Sequence, residues 1–411
     1  MSPRNISNFW LIIILGSLTA LSPFAIDMYL PAFPLMAKDL NTTVSQVSLS
    51  LSSYFIGLAI GQLMYGPVLD RYGRKRPLYF GFTIFLLTTV ACMLSKTVET
   101  LIVIRLMQSL GVCVAGVASI AMVRDFFGPK ESGKVFSLLI LILGTSPLVA
   151  PTAGGYLAEA FGWQSIFAAL GLLGLAILSV VHFFLPESHQ PDPTQSLKPG
   201  PIFKNYLKII RNGQFITYTM TGALIFAGMF VYLGSSPAIF MEYFQLTPQQ
   251  YGWIFATLAA GFIGASQLNI YFLRLFKNER ILRAAVIGSV IVSFSMLIGA
   301  WNGWLGFEGV MVVLFLLLAG VGLTNPNASA LAMAPYSKHA GSASALMGSL
   351  QMGVGALAMM AVSLLKATDI LTVAVIFCVT SVLSLSILIF GTRALRVKVE
   401  ADPNAEGIVA H

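Results

Sequence analysis

The 411-residue chain is 57% hydrophobic and only 10% charged, whereas a soluble domain carries about 25% charged residues. Lys and Arg (24) outnumber Asp and Glu (16), giving a net charge of +8, but no cation run interleaved with aromatics marks a nucleic-acid surface. These features exclude a soluble domain and a nucleic-acid binder, and point to a polytopic membrane protein.

Twelve apolar runs are each long enough to cross a bilayer, which takes about 20 residues. They are expected near 9–31, 45–68, 77–95, 99–123, 133–157, 163–185, 213–236, 249–273, 281–301, 308–334, 341–365 and 370–392. The first run is too long for a signal-peptide core and lacks a small-residue cleavage site. Cys92, Cys113 and Cys378 lie inside apolar runs, which predicts buried thiols, and the four scattered histidines have no metal-ligand spacing. A polar, Pro-rich stretch, "PESHQPDPTQSLKPGPIFKNYLKIIRNG", separates runs six and seven and ends in a basic amphipathic segment. The predicted organisation is a six-helix bundle over 1–186, a linker over 187–212, a second bundle over 213–393 and a polar tail over 394–411. With the N terminus inside, 20 of the 24 cations fall on one face. Lys38, Lys96 and Lys366 fall on the other, and Arg105 lies within a span. Cations remain on the cytoplasmic side of membrane proteins, so both termini are expected there.

Four places carry candidate chemistry. Asp27 sits near the far end of span one, where an ionised carboxylate costs several kcal/mol. Either a function or partner justifies it, or it caps the end of the span beside external water. After span two comes "GPVLDRYGRKRPL" (66–78), in which Gly66, Asp70, Arg71, Gly73, Arg74 and Lys75 combine close approach, a turn and a cluster of charges. In span four, Arg105, Gln108 and Ser119 fall within about 60° of one another at 100° per residue. This gives the helix a polar face, unless Arg105 snorkels to the interface. In span five, Gly144, Pro147, Pro151 and Gly155 share a face, where prolines free carbonyls and glycines permit close packing. The second half offers Asn327 on a face with Gly320 and Thr324, and a Met-bearing face around Met352, suited to helix packing or to apolar ligands.

These strings resemble known ones. The 66–78 loop matches G-x-x-x-D-R-x-G-R-K-x-x-L, the signature loop of the major facilitator superfamily. Span four resembles that family's R-x-x-Q-G-x-G, with Ser109 in place of a glycine. Span five resembles its antiporter motif G-P-x-x-G-G, with Ala150 in place of the first glycine and Pro151, Gly154 and Gly155 retained. With "AIDMYLPAF", "VRDFF" and "NPNASALAMAP", the chain is similar over nearly its whole length to the Bcr/CflA branch of drug:proton antiporters. The resemblance implies an all-α fold of twelve transmembrane helices in two pseudo-symmetric six-helix bundles. It also implies proton coupling through Asp27 and Arg105, and gating by the 66–78 residues together with Pro147, Pro151, Gly154 and Gly155. Tyr29, Gln108, Ser119, Asn327 and Met352 are the candidate substrate contacts. The expected function is proton-coupled efflux of chloramphenicol- or bicyclomycin-like compounds across a bacterial inner membrane. The alternatives are export of a native metabolite such as an amino acid or siderophore, or facilitated import on the same fold. No enzymatic activity is expected, nor any cofactor beyond the proton gradient, and the chain should act as a monomer in the lipid bilayer.

Overall fold

A computed structural model describes residues 7–127, 129–192, 197–336, 340–365 and 369–395. Of the cations used to orient the chain, Arg4, Lys338, Lys366, Arg396 and Lys398 lie outside these residues, as do the side chains of Lys130 and Lys134 and most of the 394–411 tail.

The described residues form twelve long α-helices and two shorter ones. The first half comprises α1 (Asn8–Asp27), α2 (Phe33–Asp39), α3 (Val44–Tyr72), α4 (Lys75–Met93), α5 (Val98–Phe126), α6 (Pro129–Phe161) and α7 (Gln164–Phe183). After a non-helical segment comes the short α8 (Pro199–Ile210). The second half comprises α9 (Gly213–Pro237), α10 (Pro248–Phe272), α11 (Asn278–Trp301), α12 (Phe307–Met333), α13 (Ala340–Leu364) and α14 (Ile370–Ala394). Eleven of these segments are long and apolar enough to cross a membrane, and the 33-residue α6 takes the place of the fifth span.

The helices begin where the apolar runs begin because polar side chains cap them there. Thr43, Thr97, Asn212, Thr247 and Asp369 each accept a hydrogen bond from a backbone N–H of the first turn. Each such bond satisfies a donor that the helix itself leaves free. Within the first half α3 packs on α5, α5 on α4, and α1 on α6; within the second, α9 packs on α12, α13 and α14. The halves meet along two seams, α3 against α13 and α6 against α10. Counting only the long helices, these are the second with the eleventh and the fifth with the eighth. Advancing each number by six turns one seam into the other, so the interface has pseudo-twofold symmetry.

Candidate functional site

Arg105, about two turns into α5, is fully buried, so it does not snorkel. Its guanidinium lies 4.2 Å from the Tyr54 ring centre and 4.5 Å from that of Tyr29. It donates to Gln108 Oε1 at 2.6 Å and to the Ala25 carbonyl at 3.0 Å, while Nε has no hydrogen-bond partner among the described residues. Gln108 donates onward to Thr89 at 2.7 Å. Tyr29 is tied to Ser50 at 2.7 Å and Tyr54 to Ser22 at 3.2 Å. A desolvated cation between aromatic faces gains about 2 kcal/mol per good contact. The charge is thereby held without an ion pair to any carboxylate among the described residues.

Asp27 is the last residue of α1, buried, and accepts a hydrogen bond from Ser146 Oγ of α6 at 3.0 Å. The depth-based pairing of Asp27 with Arg105 is therefore absent in this conformation: Asp27 is held by α6, and Arg105 by rings, Gln108 and a backbone carbonyl. Across the seam, Tyr232 of α9 and Tyr251 of α10 are buried. Tyr251 bonds to Ser236 of α9 at 2.8 Å.

The helix that holds Asp27 also carries Pro147, Pro151, Gly154 and Gly155. Gly154 lies directly against the Met28 backbone, with no room for a Cβ. At Gly155 a Cβ would stand 3.1 Å from the Pro248 carbonyl of α10, and at Gly252 one would stand 2.9 Å from Thr152 Oγ1. The two helices thus interlock through small residues, as close backbone approach in a membrane requires. On the α3–α13 seam, Ser48 is bonded to Ser363, and Phe55 packs edge-on against Phe230 of α9 with ring centres 4.3 Å apart.

The 66–78 residues lie at the opposite ends of the helices. Arg74 Nη1 meets Asp70 at 2.7 Å and Arg74 Nε meets Asp125 at 2.9 Å. Burial pulls the Arg74 pKa down, but its bonds to Asp125 and Asp70 outweigh that and hold it above the ordinary arginine value. Gly73 takes φ +80°, a left-handed conformation natural to glycine. The turn it makes faces Glu187, whose carboxylate accepts the backbone N–H groups of Arg74 (2.8 Å) and Lys75 (3.1 Å) at the start of α4. Lys75 donates to the Leu185 carbonyl and Ser188 to Asp125, both at 2.7 Å. Arg71 lies over the Tyr72 ring. Gly66 has open space where a Cβ would be, so it brings no helix close here; the two halves are parted on this face.

That parting is a cavity of about 1230 Å³, open on the face of the basic loop. Ser22, Pro23, Ile26, Phe55 and Met352 line its deep end, and Asp70, Arg74, Arg124, Asp125, Lys208 and Arg211 its mouth. Of the candidate substrate contacts, Met352 is in the wall. Tyr29, Gln108, Ser119 and Asn327 are fully buried behind it. Tyr29 and Gln108 hold Arg105, Ser119 ties the α1 backbone at Leu15 (2.7 Å), and Asn327 bonds Asn269 at 2.6 Å. Sequence reasoning did not single out Ser146, Tyr54, Asp125 as partner of Arg74, or Glu187. Two of these left a local signal: Glu187, an acid just after a span on the cation-rich face, and Asp125, inside the "VRDFF" string at the end of span four.

Residues 15–359 match the Major Facilitator Superfamily. The chain is 32% identical to "Uncharacterized MFS-type transporter YdgK" of Bacillus subtilis, over 96% of this chain and 98% of that protein. It is 31% identical to "Bicyclomycin resistance protein homolog" of Haemophilus influenzae, covering 85% and 88%. Identity to "Multidrug resistance protein MdtL" of Escherichia coli is 28%, covering 82% and 83%. Among solved structures, a D-xylose-proton symporter superposes with a TM-score of 0.72 at 16% identity, over 98% of this chain and 100% of that one, a likeness of fold. The chain belongs to the major facilitator superfamily, in its Bcr/CflA-type branch, and is a multi-pass membrane transporter rather than an enzyme.

Proposed function

We propose that this transporter is a proton-coupled exporter. It takes small amphipathic compounds, chloramphenicol- or bicyclomycin-like, from the cytoplasm into the cavity and releases them outside in exchange for protons. The reading sets the cation-rich face in the cytoplasm of a bacterium, with both termini there, so the conformation described is open inward. It invokes no cofactor beyond the proton gradient and no partner beyond substrate and bilayer, with the chain working as a monomer.

The observation that carries the proposal is the buried carboxylate of Asp27, bonded to Ser146 on the helix whose glycines interlock with α10. A proton gained or lost at Asp27 acts directly on the helix that seals the outer seam. The named drug-resistance relatives support the cargo class. Energetically one proton suffices: falling through about 100 mV it releases roughly 2.3 kcal/mol, which at 1.4 kcal/mol per decade sustains about a 50-fold cargo gradient.

The test uses purified protein in liposomes with an internal pH dye and an imposed pH gradient. Chloramphenicol should trigger proton movement in the wild type, and none in Asp27→Asn. Drug flux without proton movement would make the protein a facilitator and remove Asp27 from coupling.

A further inference from the structure

Six charged side chains line the cavity, all at its mouth. Asp70 and Asp125 are both engaged by Arg74, which leaves Arg124, Lys208 and Arg211 to make the rim positive. From there inward, among the described residues, the wall carries no carboxylate, ammonium or guanidinium. Asp27 is absent from it, held by Ser146. Ser22 does belong to the wall, and its hydroxyl is bonded to Tyr54, one of the two rings that sandwich Arg105. A fixed guanidinium with no carboxylate partner among the described residues therefore stands one residue behind the deep wall, and it occupies the faces of Tyr29 and Tyr54, which leaves Phe55 as the ring of the deep wall.

The polar groups of the deep wall are few. Thr19 is tied to Leu15 and Ser119, and Ser22 to Tyr54. Gln62 differs. It is half-buried, packs against Gly348 across the α3–α13 seam, and makes no hydrogen bond to any described residue. Its amide can both donate and accept. A low-dielectric pocket with a free amide and no counter-charge penalises either sign of ion, because transferring an unpaired charge there costs far more than transferring a hydrogen-bonded dipole.

Building on the proposed function, we infer that the cavity selects uncharged, hydrogen-bonding amphipathic molecules over organic cations, and that the Gln62 amide is the polar contact that fixes them. Gln62 is then a specificity-determining residue at the junction of the two halves. A guest bound to it touches both α3 and α13, the helices that must separate for the cavity to change sides.

The test is equilibrium binding to the purified full-length protein in nanodiscs without a gradient. Radiolabelled chloramphenicol serves as the neutral probe and tetraphenylphosphonium as the permanent cation. Chloramphenicol should bind saturably and at least tenfold more tightly than tetraphenylphosphonium. Gln62→Ala should weaken chloramphenicol about tenfold. The near-isosteric Gln62→Glu should invert the preference by supplying the missing counter-charge. Equal or tighter binding of the cation by the wild type overturns the inference, as does failure of both probes to bind or indifference of both affinities to Gln62. Because binding is read without a gradient, neutral-selective binding with no proton exchange in liposomes would sink the antiport reading and leave this one standing.

Discussion

Gly252 offers a way to push the conformational equilibrium by a calculable amount. A Cβ at this position would stand 2.9 Å from Thr152 Oγ1, 3.0 Å from its Cα and 3.2 Å from its N, where ordinary contact begins at 3.4 Å. Two of those atoms are helix backbone and cannot rotate away, so Gly252→Ala must part α6 from α10 by up to about 0.5 Å. Overpacking of this kind costs about 1–3 kcal/mol. The cost falls on a contact made between the two halves, so it destabilises the conformation in which that seam is shut. A change of 1–3 kcal/mol corresponds to a population shift of about 5- to 150-fold. Gly155→Ala, 3.1 Å from the Pro248 carbonyl, pushes the same seam in the same direction and should add to it. Gly264→Ala on the same helix α10 meets nothing within 4 Å and is the control. The assay is electron–electron double resonance between spin labels at Glu99→Cys and Glu308→Cys, exposed positions in the first turns of α5 and α12. The three native cysteines are buried. Gly252→Ala should lengthen the distance across that face, and the control should leave it unchanged. An unaltered distribution in a well-folded Gly252→Ala protein would refute the argument that this seam is sterically set.

Three further outcomes are expected. Arg105→Lys keeps the charge but cannot donate to Gln108 and Ala25 together from between two rings; it should lower stability by about 1–3 kcal/mol, read as a fall in Tm of the purified protein. Glu187→Ala removes the acceptor of two backbone N–H groups at the start of α4, worth about 0.5–2 kcal/mol as a cap. It should speed hydrogen exchange at residues 74–78 while leaving α10 unchanged. Asp125→Asn removes the charge facing Arg74 Nε and should weaken the anchoring of the basic loop, seen as faster proteolysis between α3 and α4.

The helices were legible because hydrophobic length and polar caps are local properties. The run expected at 249–273 emerges as Pro248–Phe272 because Thr247 and Gln250 close a reciprocal cap there, and all of that information lies within four residues. The site was legible in depth but not in direction. Positions along spans one and four set Asp27 and Arg105 at a similar depth, and both side chains are buried. Arg105, however, reaches α1 at the Ala25 carbonyl, two residues before Asp27. Two residues turn an α-helix by about 200°, so the side of α1 that meets Arg105 is nearly opposite the side that presents Asp27 to Ser146. On an amphipathic helix the polar stripe would have announced which side faces what. Here α1 is apolar almost all round, and the direction of a single acid is fixed only by packing against α6, 119 residues away. The same reasoning accounts for Tyr29, Gln108 and Ser119. The spacing that put Gln108 and Ser119 with Arg105 on one polar face of α5 is real, but that face turns toward α1 and α4 and is consumed in holding a buried charge, which leaves the cavity wall to residues such as Gln62 that carry no helical pattern at all.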